Sequence, residues 1–177
     1  SNLGGQIRFG TLSLFGTGAN AGTLPTFSGE QLSRADIFLD NSDPSHGTPS
    51  PQNYAYYTLV HEIGHALGLK HPGNYNALGG GTPPPYLPSS QDSQLYTVMS
   101  YNSDFPWESG LSTFDLAALQ YLYGSNTSTG TGNDTYALST SGAYSLIWDG
   151  GGTDLLDASS GFSAVTLDLT PGSLRYS

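Results

Sequence analysis

Residues 61 to 71 read His-Glu-Ile-Gly-His-Ala-Leu-Gly-Leu-Lys-His, and few strings of eleven residues leave a chain so little conformational choice. On a helix the i, i+4 spacing stacks His61 and His65 on one face, so that both imidazoles can reach a single metal ion. Glu62 lies one residue round, beside such an ion and not on it. A straight helix cannot offer a third ligand from its next turn at a suitable angle, so the chain must bend. Gly68 is free to take a positive φ, and three residues later His71 can swing back as the third imidazole. The flanks agree. Residues 54 to 69 contain no proline and set Val60, Ile63 and Leu67 on one helical face, while Pro72 bars the helix from resuming. Three of the four histidines fall in this window. The fourth, His46, sits alone in a Pro/Ser loop and reads as a solvated side chain.

Three neutral imidazoles leave a fourth position of a zinc ion open to water, the arrangement of a catalytic and not a closed structural site. Zinc acidifies water, and a carboxylate placed like that of Glu62 can take the proton and pass it to a leaving amine. The expected chemistry is hydrolytic attack on a carbonyl. Other classes recede. No cysteine occurs, which excludes a disulfide framework, a thiolate-bound zinc and a thiol nucleophile. Lys plus Arg number 4 against 14 Asp plus Glu, a net charge of −10 that repels nucleic acid and anionic lipid. No stretch approaches the roughly 20 apolar residues of a membrane span, so neither nucleic-acid binding nor membrane insertion is expected.

At 177 residues the chain has length for one domain and a small appendage. QIRFG, TLSLFG and residues 35 to 40 (ADIFLD) read as strands, and residues 41 to 52 as a loop. Residues 73 to 95 form a long irregular loop. A second helix is predicted over residues 112 to 123, with Ser112 and Asp115 as a capping box, Leu116, Leu119 and Tyr123 on one face, and Gly124 as its stop. A polar linker follows at residues 125 to 133, and then an all-β segment in which Val165, Leu167 and Leu169 face one way. Within it Asp149, Gly151 and Asp154 occupy a Gly-rich turn where carboxylates and carbonyls can converge on a hard cation; a plain Asp-Gly hairpin turn is the other reading. Asp157 and Asp168 read as solvated strand residues.

The window at residues 61 to 71 resembles the metzincin metallopeptidases at every fixed position of their motif. The single methionine, in Val98-Met99-Ser100-Tyr101, resembles the Met-turn of the serralysins in particular. HPGNYNA (71 to 77), DLAALQYLYG (115 to 124) and IWDGGGTDLLDASS (147 to 160) resemble serralysin segments in order and spacing. The resemblance implies an α+β metzincin-type zinc protease domain: a twisted mixed sheet, an active-site helix and a C-terminal helix. It is followed by the start of an all-β, calcium-binding β-roll-like segment. The implied division is a catalytic domain over residues 1 to 124, lacking the usual N-terminal helix, and a linker with the beginning of the β segment over 125 to 177. By the same resemblance His61, His65 and His71 hold zinc, and Glu62 is the general base. Tyr101 reaches the zinc or the developing oxyanion, and Met99 forms a hydrophobic floor beneath the histidines. Gly132 and Asp134 would join Asp149, Gly151 and Asp154 around structural calcium, although Gly130 stands near the place where the family often has an Arg. The implied protein is a secreted, extracellular zinc endopeptidase acting on proteins or peptides and open to a proteinaceous inhibitor. Substrate would lie along an edge strand, for which residues 19 to 25 (ANAGTLP) are the candidate. A catalytically inactive calcium-binding secretion or adhesion module with a protease-like fold is the alternative.

Overall fold

Three strands and one helix carry the part of the chain that holds the histidine motif. The computed structural model describes residues 6–14, 21–29, 31–51, 53–77, 79–103, 110–138, 146–161 and 165. Strands β1 (Gln6–Leu12), β2 (Ala21–Ser28) and β3 (Gln31–Asp40) form a mixed sheet in the order β1-β3-β2. β1 runs parallel to β3 with Phe9 opposite Ile37, and β2 runs antiparallel to β3 with Thr23 opposite Ile37. The register shifts between Thr26 and Phe27, a bulge beyond which Phe27 pairs with Leu32 and Ser28 with Gln31 up to the turn at Gly29, whose φ is +64°.

QIRFG and TL therefore form one strand and not two. The stretch between TLSLFG and ADIFLD, whose start is Gly- and Asn-rich and reads as punctuation, contains β2 over residues 21 to 28. The alternation there is weak because β2 is an edge strand with one exposed flank, so its sequence carries little apolar signal. Of the candidate edge at residues 19 to 25, residues 21 to 25 lie in β2; Ala19 and Asn20 lie outside the described residues.

Helix α1 (Tyr54–Ala66) starts at Asn53, whose side chain accepts from the Tyr56 N–H at 2.8 Å. It is buried on two sides rather than one. Ile63 and Leu59 pack with Ala66 against Ala35 and Ile37 of the sheet, whereas Val60 packs with Tyr57 against Val98 and Met99. Helix α2 (Thr113–Tyr123) ends at Gly124, φ +83°. Its buried residue is Asp115, while Leu116 and Leu119 are half-buried and Tyr123 is exposed.

The chain divides into two units, residues 1–119 and 120–177. In the second, β4 (Thr135–Ala137) and β5 (Leu155–Asp157) pair in parallel. Asp157, in β5, accepts from the Ser159 N–H at 2.8 Å. Val165 is not in a strand, and Leu167, Asp168 and Leu169 lie outside the described residues. Among the described residues no helix is long and apolar enough to cross a membrane.

Candidate active site

The end of α1 decides where the third histidine goes. Leu67 caps the helix and Gly68 follows at φ +96°, a conformation costly for any residue with a Cβ. The Gly68 N–H donates to the His65 carbonyl at 3.0 Å and the Leu69 N–H to the Gly64 carbonyl at 2.9 Å, the paired bonds of a Schellman turn. That turn reverses the chain and returns His71 to the face bearing His61 and His65. The Nε2 atoms of His61 and His71 are 3.1 Å apart, as are those of His65 and His71.

Tautomers follow from the other ring nitrogens. His61 Nδ1 lies 2.8 Å from the Val98 carbonyl, His65 Nδ1 3.0 Å from that of Leu69, and His71 Nδ1 3.2 Å from that of Tyr75. A carbonyl oxygen only accepts, so each Nδ1 carries its ring's proton and each Nε2 presents a lone pair. Three lone pairs thus converge with no proton between them. Burial, more than the neighbouring His65, holds His61 down at about 3, and burial likewise holds His71 down at about 4, so neither ring supplies one near neutral pH. This arrangement calls for a cation. Four-coordinate zinc with bonds of about 2.0–2.1 Å would set its nitrogens about 3.3 Å apart, close to the spacing seen. The three histidines are accordingly a set whose ligand atoms could hold one metal ion.

Glu62 is buried beside them, and burial raises its pKa. Its Oε2 accepts from the Thr23 hydroxyl at 2.6 Å. Tyr101 is 44 % exposed; its ring centroid lies 4.5 Å from that of His71 and 5.8 Å from that of His61. Burial raises the phenol's pKa, with the nearby Glu62 charge adding to the effect. The Tyr75 ring stacks on Tyr101 at 4.9 Å, and its hydroxyl donates to Asp92 Oδ1 at 2.6 Å, an oxygen shared with the Ser100 hydroxyl.

Met99 is fully buried beneath α1. A Cβ at Gly64 would stand 2.5 Å from its sulfur, so helix and methionine meet where only glycine fits. The segment is held by Asp115: Thr97 Oγ1 donates to it at 2.6 Å, the Val98 N–H at 2.8 Å and the Ser112 N–H at 2.9 Å. Asp115 thus does more than the cap its sequence suggests, and Ser112 sends its own hydroxyl to the Gln94 carbonyl at 3.2 Å. Thr23, Tyr75 and Asp92 escaped the sequence reading because their partners are 39, 17 and 8 to 17 residues away and no local pattern marks them.

The sequence has relatives among known proteins. The chain is 36 % identical to serralysin of Proteus mirabilis over 97 % of its length and 40 % of the relative's. It is 38 % identical to metallopeptidase AprA of Pseudomonas marginalis over 88 % of its length and 38 % of the relative's. The chain belongs to the serralysin-like metallopeptidases. It spans about two fifths of the length of these curated relatives. Serralysin C of Dickeya chrysanthemi is 37 % identical over 72 % of the chain. No family model matches.

The second unit of this serralysin-like chain contains another set of ligand atoms. Asp134, Asp149 and Asp154 bring carboxylate oxygens within 4.8 Å of one another. Asp154 Oδ1 accepts from the Asp134 N–H at 2.9 Å, and Asp149 Oδ1 from the Gly151 N–H at 2.8 Å. The turn is crowded by carbonyl oxygens. A Cβ at Gly150 would stand 2.6 Å from those of Thr127 and Thr129, and one at Gly152 would collide with that of Gly132. Carboxylates and close carbonyls make an oxygen donor set suited to a hard cation. His46 ends a short 3₁₀ turn (Pro44–His46), far in sequence from both clusters.

Proposed function

We propose that the protein is a secreted, extracellular zinc endopeptidase of the serralysin kind, cutting peptide bonds in proteins or peptides. One observation carries the reading: the Nε2 of His71 lies 3.1 Å from those of both His61 and His65, with every Nδ1 proton committed to a main-chain carbonyl. His61, His65 and His71 would hold the zinc. When bound, zinc supplies Lewis acidity, acidifying water and polarising a carbonyl.

The chain's own residues do the rest. Glu62 Oε1 takes a proton from water as the water oxygen bonds to the carbonyl carbon, then gives that proton to the amine nitrogen as the C–N bond breaks. The Tyr101 hydroxyl, beside His71, serves as a hydrogen-bond donor for the charge that develops on the carbonyl oxygen, or as a further zinc ligand. Met99 supports the helix from below. β2, at the sheet edge, pairs with an extended substrate, and a proteinaceous inhibitor would occupy the same edge. Asp134, Asp149 and Asp154, with Gly132 and Gly151 in their loops, hold structural calcium. Residues 1 to 124 form the catalytic domain, and 125 to 177 the linker and opening of a β-roll.

The test joins metal analysis to turnover. One zinc per chain, casein cleavage abolished by a zinc chelator and restored by zinc, and Glu62→Ala with zinc retained but turnover down by at least about 100-fold are expected. A zinc-loaded protein that cleaves no casein or peptide would return the reading to an inactive calcium-binding module.

A further inference from the structure

We propose that Thr23, on the edge strand, is a positioning residue that aims the Glu62 carboxylate; this deepens the endopeptidase reading and rests on it. Thr23 stands opposite Ile37 in the antiparallel pairing of β2 with β3, so the two side chains share a face of the sheet. Ile37 is fully buried on that face, in the cluster that packs on α1, which directs Thr23 at the helix as well. There Thr23 Oγ1 lies 2.6 Å from Glu62 Oε2 and 3.0 Å from the Glu62 carbonyl oxygen. A hydroxyl has one proton to give, and the shorter contact has the length of a charge-assisted bond to a carboxylate. The branched Cβ makes χ1 stiff, so the strand fixes the direction of that bond.

Glu62 needs such a fixture. Its side chain has three rotatable bonds, and among the described residues its carboxylate takes its hydrogen bond from Thr23. With Oε2 tied to β2, Oε1 is the oxygen left to receive the proton of water. The strand that would pair with an extended substrate therefore also holds the base, so peptide carbonyl and carboxylate are placed from one element. Misplacement of a catalytic group by about 1 Å can cost as much as 100-fold in rate.

Thr23→Val keeps the branched shape and removes the donor. Expected are unchanged zinc content, kcat lowered roughly tenfold and KM within about twofold of wild type, with Thr23→Ser recovering kcat to within about threefold. A second readout needs neither metal nor turnover. In the metal-free protein, melting temperatures of Thr23→Val, Glu62→Ala and the double variant should be non-additive by about 3 °C or more, since a hydrogen bond to a charged group joins the two sites. Wild-type kcat in Thr23→Val, additive melting temperatures, or a Ser variant as slow as the Val variant each overturn the proposal, the last because it would assign the effect to the methyl group. Zinc-loaded wild-type protein without peptidase activity overturns the endopeptidase reading and the positioning role together. An active wild type with an equally active Thr23→Val removes only the latter.

Discussion

Replacing Gly64 by Ala sets two known effects against each other. In a helix interior Ala is favoured over Gly by about 0.8–1.0 kcal/mol, and Gly64 lies in the last turn of α1, so that figure is the most the helix can gain. Against it stands the added Cβ, 2.5 Å from Met99 Sδ, 3.6 Å from its Cε and 3.5 Å from Leu69 Cδ1. Ordinary non-bonded contacts lie at about 3.5–4.0 Å, so the sulfur must withdraw by roughly 1 Å. Methionine is the most adaptable of core side chains, but Met99 is 1 % exposed and packed with Tyr57, Val98 and Leu69, so it has little free space to enter. Overpacking of this kind costs about 1–3 kcal/mol and outweighs the helix gain. The expected balance is a loss of about 1 kcal/mol, or roughly 2–6 °C in melting temperature. The measurement is thermal unfolding of the metal-free protein, which removes the contribution of bound ions. Met99→Ala alone should cost about 2–5 kcal/mol through the cavity it leaves. Combined with Gly64→Ala it should cost less than the sum of the single changes, because the clash disappears with the sulfur. A Gly64→Ala protein that melts above wild type, or strictly additive losses, would refute the reasoning.

Tyr101→Phe should lower kcat about tenfold or more with zinc content unchanged, as expected for a hydroxyl that acts in the transition state; reduced zinc affinity as the main effect would make it a ligand. In the second unit, Asp149→Asn with Asp154→Asn should abolish any calcium-induced rise in melting temperature and open residues 125 to 177 to proteolysis. Binding at 100 times Kd contributes about 2.7 kcal/mol, and a protein indifferent to calcium before the substitutions would contradict the assignment. Asp36 accepts from Arg8 Nε at 2.6 Å and from Arg34 Nε at 2.9 Å, and these guanidinium groups, Arg8 first, hold its carboxyl at about 2. Because that lies below the unfolded value of about 3.9, the contribution to stability is present above pH 4 and lost as pH falls toward 2. Asp36→Asn should flatten the melting temperature over that window, and an unchanged slope would show that other carboxylates set it.

The helix and the convergence of its three histidines are legible because their signal is local. The i, i+4 pair, Gly68 and His71 all lie within eleven residues, and backbone geometry alone converts that spacing into convergence. The sheet was half legible. ADIFLD reads as a strand because it is buried on the helix side, while β2 lacks that enrichment, and only its residues 21 to 25 fall within the stretch that the resemblance offers as an edge. The supports of the site were the least visible. Thr23 reaches Glu62 across 39 positions, and Asp115 reaches Thr97 across 18. A single threonine or aspartate carries no mark of a partner so distant. The local pattern marks Asp115 for the bond it accepts from the Ser112 N–H, which exists, while the two bonds it accepts from Thr97 and Val98 leave no local trace.

All three Nδ1 protons are received by main-chain carbonyls, those of Val98, Leu69 and Tyr75. A carbonyl is present whatever side chain its residue carries, so the orientation of the imidazoles tolerates sequence drift at these three positions far better than a carboxylate partner would. What it cannot tolerate is a change of length. One residue inserted or deleted between Leu69 and Tyr75, or within the Thr97–Val98 segment that Asp115 holds, would slide a different carbonyl into register and turn a ring. Variation in the loops around this site should therefore accumulate as substitutions, while insertions and deletions are confined to stretches that supply no acceptor to the imidazoles, such as the glycine run at residues 79 to 81.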